Sequence, residues 1–211
     1  MSSANRVLKV ASLLACHGIA TAIWMAWQAA AAPQASSAPM TASYVRDEHS
    51  YAQPDRVITR HLALELAMDF DRRVLSGTAT LDLAWTDSSA TELVLDSRDL
   101  AIQKVEASSD GAEWTAVPFE LAPADAILGS RLSIQVPRPA PKIRIGYSTS
   151  PAASGLQWLT PAMTLGKRSP FLFSQSQPIL RSRSWVPLQD TPRSGFNYDA
   201  RVFLSTDEGP R

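Results

Sequence analysis

The sequence predicts an all-β domain, an antiparallel sandwich or saddle-shaped sheet, carried behind an N-terminal signal helix. Three observations lead there. Apolar residues recur at every second position through the middle of the chain. Polar turn residues break these runs at short intervals. No helical period of any length follows the first 32 residues.

The elements follow in chain order. Leu62, Leu64, Leu66 and Met68 alternate with Ala63, Glu65 and Ala67, which is a strand with one face on a core. Asp71-Arg72-Arg73 is polar and can turn. Leu75, Gly77, Ala79, Leu81, Leu83 and Trp85 then alternate again, so the two runs predict a long hairpin. After the break at Thr86–Ala90, Leu93 and Leu95 share one face of a short strand. Leu100 and Ile102 begin another, which runs toward Val105. Ser108–Gly111 is a turn, followed by a segment around Trp114, Val117 and Phe119. Leu132, Ile134 and Val136 alternate before Pro137, and Ile143, Ile145 and Tyr147 after Pro141. That is about eight strands at turn-separated intervals. Beyond Tyr147 the period fades. Residues 150–161 and 167–192 mix Pro, Gln, Ser, Arg and Trp, and long irregular stretches of this kind often carry function.

Residues 1–32 differ from the body. Arg6 and Lys9 are their only charges, an apolar stretch runs from Val10 to about Trp27, and Ala29–Ala32 follows. This is the pattern of a secretory signal peptide with an A-x-A cleavage site at Ala30-Ala31-Ala32. Two other readings stay open. Val10–Ala32 is long enough to be an uncleaved membrane anchor. Leu13-Leu14-Ala15-Cys16 resembles a lipoprotein box, although the chain stays apolar after Cys16. All three place the protein outside the cytoplasm, in a periplasm or secreted. Residues 33–45, rich in Ala, Ser, Pro and Thr, read as a flexible lead-in, and the body is residues 46–211.

Composition excludes several classes. The chain of 211 residues carries 20 basic and 20 acidic side chains, so it lacks the cationic excess of a nucleic-acid binder. Removing residues 1–32 takes two cations and no anion, leaving a mildly acidic body. One cysteine, Cys16, permits no internal disulfide and no cysteine metal cluster. The three histidines, His17, His49 and His61, form no HExxH. Asp47, Glu48 and His49 lie together, but such a run in a lead-in is ordinarily solvated. Asp190 before Thr191-Pro192 reads as a turn former. Arg181 and Arg183 suit a surface or ion-pair role better than an anion clamp. Trp158 and Trp185 suit core packing better than ligand stacking.

The irregular stretch carries a resemblance. Ser150–Pro161 (SPAASGLQWLTP), Pro170–Gln177 (PFLFSQSQ), Gln189–Pro192 (QDTP) and Tyr198-Asp199-Ala200 occur in one order, after His49–Ala52, His61–Leu64 and Leu95–Leu100. Together they resemble the leukotriene A4 hydrolase-like branch of the M1 zinc aminopeptidases, over roughly residues 46–204. The resemblance implies that family's N-terminal domain, a saddle of β-sheets packed against a thermolysin-like catalytic domain. The family's HExxH, its distant glutamate ligand and its GGMEN segment are absent from this chain. It therefore implies no catalytic residue, metal site or cofactor here, with zinc belonging to the full-length enzyme. The expected partners are the missing catalytic domain and the N-terminus of a peptide substrate. No nucleic acid is expected, and a membrane only through the N-terminal segment.

The resemblance also implies a substrate-binding role for Gln175, Ser176 and Gln177, whose loop reaches the active site in the family. An aminopeptidase must hold a cationic amine at a fixed distance from its metal, and an amide oxygen can accept from an ammonium. The chain departs from the family pattern in three places. It carries one residue more between Gln177 and Pro192, around Leu180–Arg183; Ala162-Met163 replaces Glu-Gln; and Gly195 stands where a basic residue is common. The expected function is the substrate-positioning domain of an exported zinc aminopeptidase, inactive alone. The alternatives are a stand-alone periplasmic β-sandwich binding module and a truncated gene product.

Overall fold

The computed structural model describes residues 46–136, 140–177, 180–206 and 209–210. The expected signal segment, Cys16 and the lead-in up to residue 45 lie outside the described residues.

The long hairpin forms as the alternation requires. β1 (Val57–Asp69) pairs antiparallel with β2 (Val74–Trp85) through the turn at 70–73, where Arg73 takes φ 56°. Leu62, Leu64 and Leu66 of β1 and Leu75, Ala79, Leu81 and Leu83 of β2 are buried on one face. The remaining strands are β3 (Glu92–Ser97), β4 (Ala101–Ser108), β5 (Thr115–Ala116), β6 (Phe119–Leu121), β7 (Ser130–Gln135), β8 (Lys142–Ser148), β9 (Leu156–Leu159), β10 (Phe171–Ser174), β11 (Asn197–Thr206) and β12 (Gly209–Pro210). Two 3₁₀ turns, Pro161–Met163 and Ser182–Ser184, interrupt the later part.

A seven-stranded sheet runs in the order β12-β11-β1-β2-β8-β4-β5, and a three-stranded sheet in the order β3-β7-β6. Leu93, Leu95, Leu132 and Ile134 of the smaller sheet join Leu62, Leu64, Leu81, Ile143 and Ile145 of the larger in one apolar core. This is face-to-face sheet packing, and each fully buried aliphatic side chain contributes about 1.5–3 kcal/mol. β9 and β10 make a separate two-stranded ribbon.

The all-β expectation holds, with three corrections. The stretches read as aperiodic contain β9 and β10. These strands are four residues long and half exposed, too short to print a period-two signal. The sheet is not wholly antiparallel: β11 adds parallel to the outer edge of β1, with Leu62 opposite Tyr198 and Leu66 opposite Val202. Finally, β3 is buried from Leu93 to Ser97, on both faces rather than one.

The strands' ends are tied to the later turns. Tyr147 on β8 is fully buried, and its hydroxyl donates to the Trp185 carbonyl at 3.0 Å. Burial alone pushes this phenol well above its ordinary range, so it remains a neutral donor. We expect Tyr147→Phe to cost about 1 kcal/mol, read by urea unfolding, because it leaves that carbonyl without its donor.

Candidate functional site

The site rests on a buried polar scaffold. Arg183 lies in the second 3₁₀ turn with no exposed surface. Its Nε donates to the Asp190 carboxylate at 2.9 Å, its Nη1 to the Leu128 carbonyl at 2.8 Å, and an Nη2 hydrogen goes to the His49 carbonyl at 2.8 Å. Asp96 of β3, also fully buried, faces Nη1 at 3.5 Å. The Asp96 carboxylate accepts from the Ser50 hydroxyl at 2.6 Å, the Tyr51 amide at 2.8 Å and the Asp190 amide at 2.9 Å. Burial pushes this carboxyl above its ordinary value, while Ser50, Arg183 and the two amides pull it back. A buried cation with two carboxylates and filled hydrogen-bond positions is the arrangement that low dielectric tolerates.

This geometry refines two expectations. Of the surface and ion-pair roles open to Arg183, the structure shows the second, at the buried centre of an ion-pair network. Asp190 does more than shape its own turn: it bridges the 189–192 segment to Arg183 and, through its amide, to Asp96. The reason is topological, because three distant segments meet at one place. His49–Tyr51, Asp96 and Gln189–Asp190 each supply one wall.

Gln189 closes the same junction. β11 pairs with β1 only from His61 onward, so on that edge the backbone groups of Val57 and Thr59 lie beyond the end of the ladder. The buried Gln189 side chain pairs with them instead. Its oxygen accepts from the Thr59 amide at 2.9 Å, and its nitrogen donates to the Val57 carbonyl at 2.8 Å.

From this scaffold a short relay reaches the predicted loop. The Ser184 hydroxyl, next to Arg183, donates to the Arg181 carbonyl at 2.7 Å and accepts from the Gly155 amide at 2.8 Å. The Gly155 carbonyl in turn accepts from the Gln175 amide at 2.8 Å. Gly155 must be small here: a Cβ would stand 2.6 Å from the Arg181 carbonyl oxygen and 2.7 Å from the Trp185 ring. Leu180 takes φ 77°, a left-handed conformation that leucine rarely adopts.

Gln175, Ser176 and Gln177 are all exposed, at the end of β10. They do not share one cavity. Gln175 borders a space of about 390 Å³ with Gln157, Phe173 and Arg181. Ser176 borders another of about 370 Å³ with Leu62, Trp185, Phe196 and Tyr198. Trp158 and Trp185 are half-buried against the core, and Trp158 meets Phe70 edge to face at 5.4 Å. Neither indole nitrogen has a hydrogen-bond partner among the described residues.

The described residues do not fit a zinc site. His49 approaches Asp47 at 3.6 Å and His61 approaches Asp199 at 3.2 Å, but no group of three potential ligands converges among the described residues. Sequence reasoning gave no role to Ser50, Asp96, Ser184 and Gly155, and named Arg183 only as a surface or ion-pair residue. Ser50, Asp96 and Gly155 lie within the quoted motifs, which was the available signal.

A third, larger concavity of about 560 Å³ lies beside the ribbon. Leu64, Leu66 and Met68 of β1, Tyr198, Val202 and Leu204 of β11, and Phe171 of β10 line it. Here the core face of the large sheet continues from β1 onto β11 without a cover. Leu64 and Leu66 are buried, whereas Tyr198 is 68% and Val202 53% exposed.

Comparisons with known proteins agree with this architecture. Residues 53–208 match the Peptidase M1 N-terminal domain. The chain is 36% identical over 164 residues to leucine aminopeptidase 2 of Sclerotinia sclerotiorum, covering 74% of this chain and 26% of that protein. It is 34% identical over 161 residues to leukotriene A-4 hydrolase of Xenopus laevis, with the same coverage. The solved structure of yeast LTA4 hydrolase in complex with bestatin superposes with a TM-score of 0.68 at 28% identity, over 77% of this chain and 25% of that one. An M1 zinc metallopeptidase from Deinococcus radiodurans shares the fold, with a TM-score of 0.52 at 18% identity over 74% of this chain and 34% of that one. The chain spans about a quarter of the length of the curated relatives it matches. With residues 53–208 matching that domain and relatives at 34–36% identity over 74% of its length, this chain belongs to the M1 peptidase family, as its N-terminal domain, on the leukotriene A4 hydrolase-like side.

Proposed function

We propose that the chain serves as the substrate-positioning wall of an exported zinc aminopeptidase and has no hydrolytic activity alone. In this reading zinc and the general base belong to a catalytic domain, which docks on the uncovered face of β1 and β11. The peptide partner is a free N-terminus, toward which the Gln175–Gln177 turn presents amide oxygens. Each can accept from an ammonium, and the relay through Gly155 and Ser184 fixes the turn before substrate arrives.

The observation that carries the reading is the apolar face itself. Tyr198, Val202 and Leu204 stand on the core side of the sheet, yet at least half of each is exposed. A face of this kind marks an interaction surface. The purified chain should therefore bind an apolar dye and self-associate as concentration rises. Val202→Glu should suppress both while leaving the unfolding free energy within about 0.5 kcal/mol of the parent. A chain that stays monomeric and dye-silent would favour a stand-alone binding module instead.

A further inference from the structure

The loop between β9 and β10 has a feature that neither the scaffold nor the docking face uses. After the Pro161–Met163 turn, the Thr164 hydroxyl lies 2.9 Å from the carbonyl oxygens of both Pro161 and Ser169, donating to one at a time and closing the loop at its base. Gly166 and Lys167 then take φ 79° and 51° in succession, which folds the chain into a tight knuckle. The outcome is an apolar tip aimed into water. Leu165 is fully exposed, at 106% of its reference area, and Met163 is 62% exposed.

The tip is cationic as well as apolar. Lys167 and Arg168 follow Leu165 after Gly166, and neither has an acidic partner among the described residues. No Asp or Glu occurs anywhere between Asp125 and Asp190. The neighbouring β1–β2 turn, which reaches the ribbon through Phe70, is balanced: Asp69 and Asp71 face Arg72 and Arg73 in sequence. The ribbon end of the domain therefore carries exposed apolar side chains beside two exposed cations that have no acidic partner among the described residues.

We propose that this knuckle is a membrane-surface contact, with Met163 and Leu165 entering the headgroup layer of an anionic bilayer and Lys167 and Arg168 pairing with its phosphates. The shape favours lipid over protein. A protruding apolar tip finds no complementary wall on a flat protein surface, but penetrates a deformable interface. The charge matches too, since basic residues beside an apolar anchor bind anionic lipid in a salt-dependent way.

The test uses the full chain, with the apolar N-terminal stretch present in every arm. Leu165→Cys on a Cys16→Ser background takes an environment-sensitive fluorophore at the tip. Vesicles are phosphatidylcholine with or without phosphatidylglycerol. We expect a blue shift that requires phosphatidylglycerol and weakens with salt. Lys167→Gln with Arg168→Gln should reduce the apparent partitioning on the order of tenfold. Three results would overturn the proposal: no shift with anionic vesicles, an equal shift on neutral vesicles that ignores the charge variants, or a vesicle-independent shift that grows with protein concentration. The last would assign the tip to a second copy of the chain.

Discussion

Arg183→Ala should lower the unfolding free energy by about 3–5 kcal/mol, the largest effect of any single change considered. The guanidinium is fully buried, and three backbone or carboxylate acceptors lie within 2.9 Å of it. Removing it leaves the carbonyls of His49 and Leu128 without this donor and takes from Asp96 its facing cation. Domains of this size are stable by about 5–15 kcal/mol, so the loss is a large part of the total. The deficit should also depend on pH. Burial already raises the Asp96 carboxyl, and without Arg183 nothing cationic opposes that push. A raised folded-state value favours the protonated form on folding. Stability from this group is then present at acid pH and lost as pH rises through the raised value. The variant's deficit should accordingly shrink as pH falls toward the ordinary carboxylate range. Urea unfolding at neutral and mildly acid pH reads both effects.

Gly155→Ala is the second large expectation, and it separates the site from the scaffold. The added Cβ meets the Arg181 carbonyl at 2.6 Å, and backbone cannot move aside as a flexible side chain can. Overpacking of this kind costs about 1–3 kcal/mol. The specific signature is local. The Gln175 amide donates to the Gly155 carbonyl, so its hydrogen-exchange protection should fall further than that of β2 or β8. Gly195→Ala is the control, since Gly195 is exposed with nothing within 4 Å of an added Cβ. It should change stability by less than about 0.5 kcal/mol.

Much of the fold was legible because it obeys one simple rule. The β1–β2 hairpin prints its alternation over 12 and 13 residues, and β7 and β8 repeat it with Leu132, Ile134, Ile143 and Ile145. Periodicity reports which residues face a core, not which neighbour a strand takes. It therefore could not show that β11 runs parallel to β1. The ribbon was illegible for another reason: β9 and β10 are four residues each, so the core-facing Leu156, Trp158 and Leu172 make too short an alternation to stand out.

The frame around the Gln175–Gln177 turn was not legible in the sequence. Gln175, Ser176 and Gln177 came forward through the motif around them, and all three stand at the surface. Arg183 reads as a surface or ion-pair residue, and its burial is not foreseen, because charged residues are rarely buried and nothing near it in sequence explains an exception. Its acceptors lie far away, with His49 134 positions earlier in the chain. Only folding brings His49, Asp96 and Asp190 to one point. The recurring motifs that look like binding signatures thus build, for the most part, the frame that holds one exposed turn.

The most direct test of this account is to assay the purified chain for hydrolysis of an aminoacyl-anilide while counting bound zinc. The scaffold is structural and no three ligands converge among the described residues, so the account predicts neither stoichiometric zinc nor metal-dependent turnover. One zinc per chain together with turnover that a chelator abolishes would contradict it.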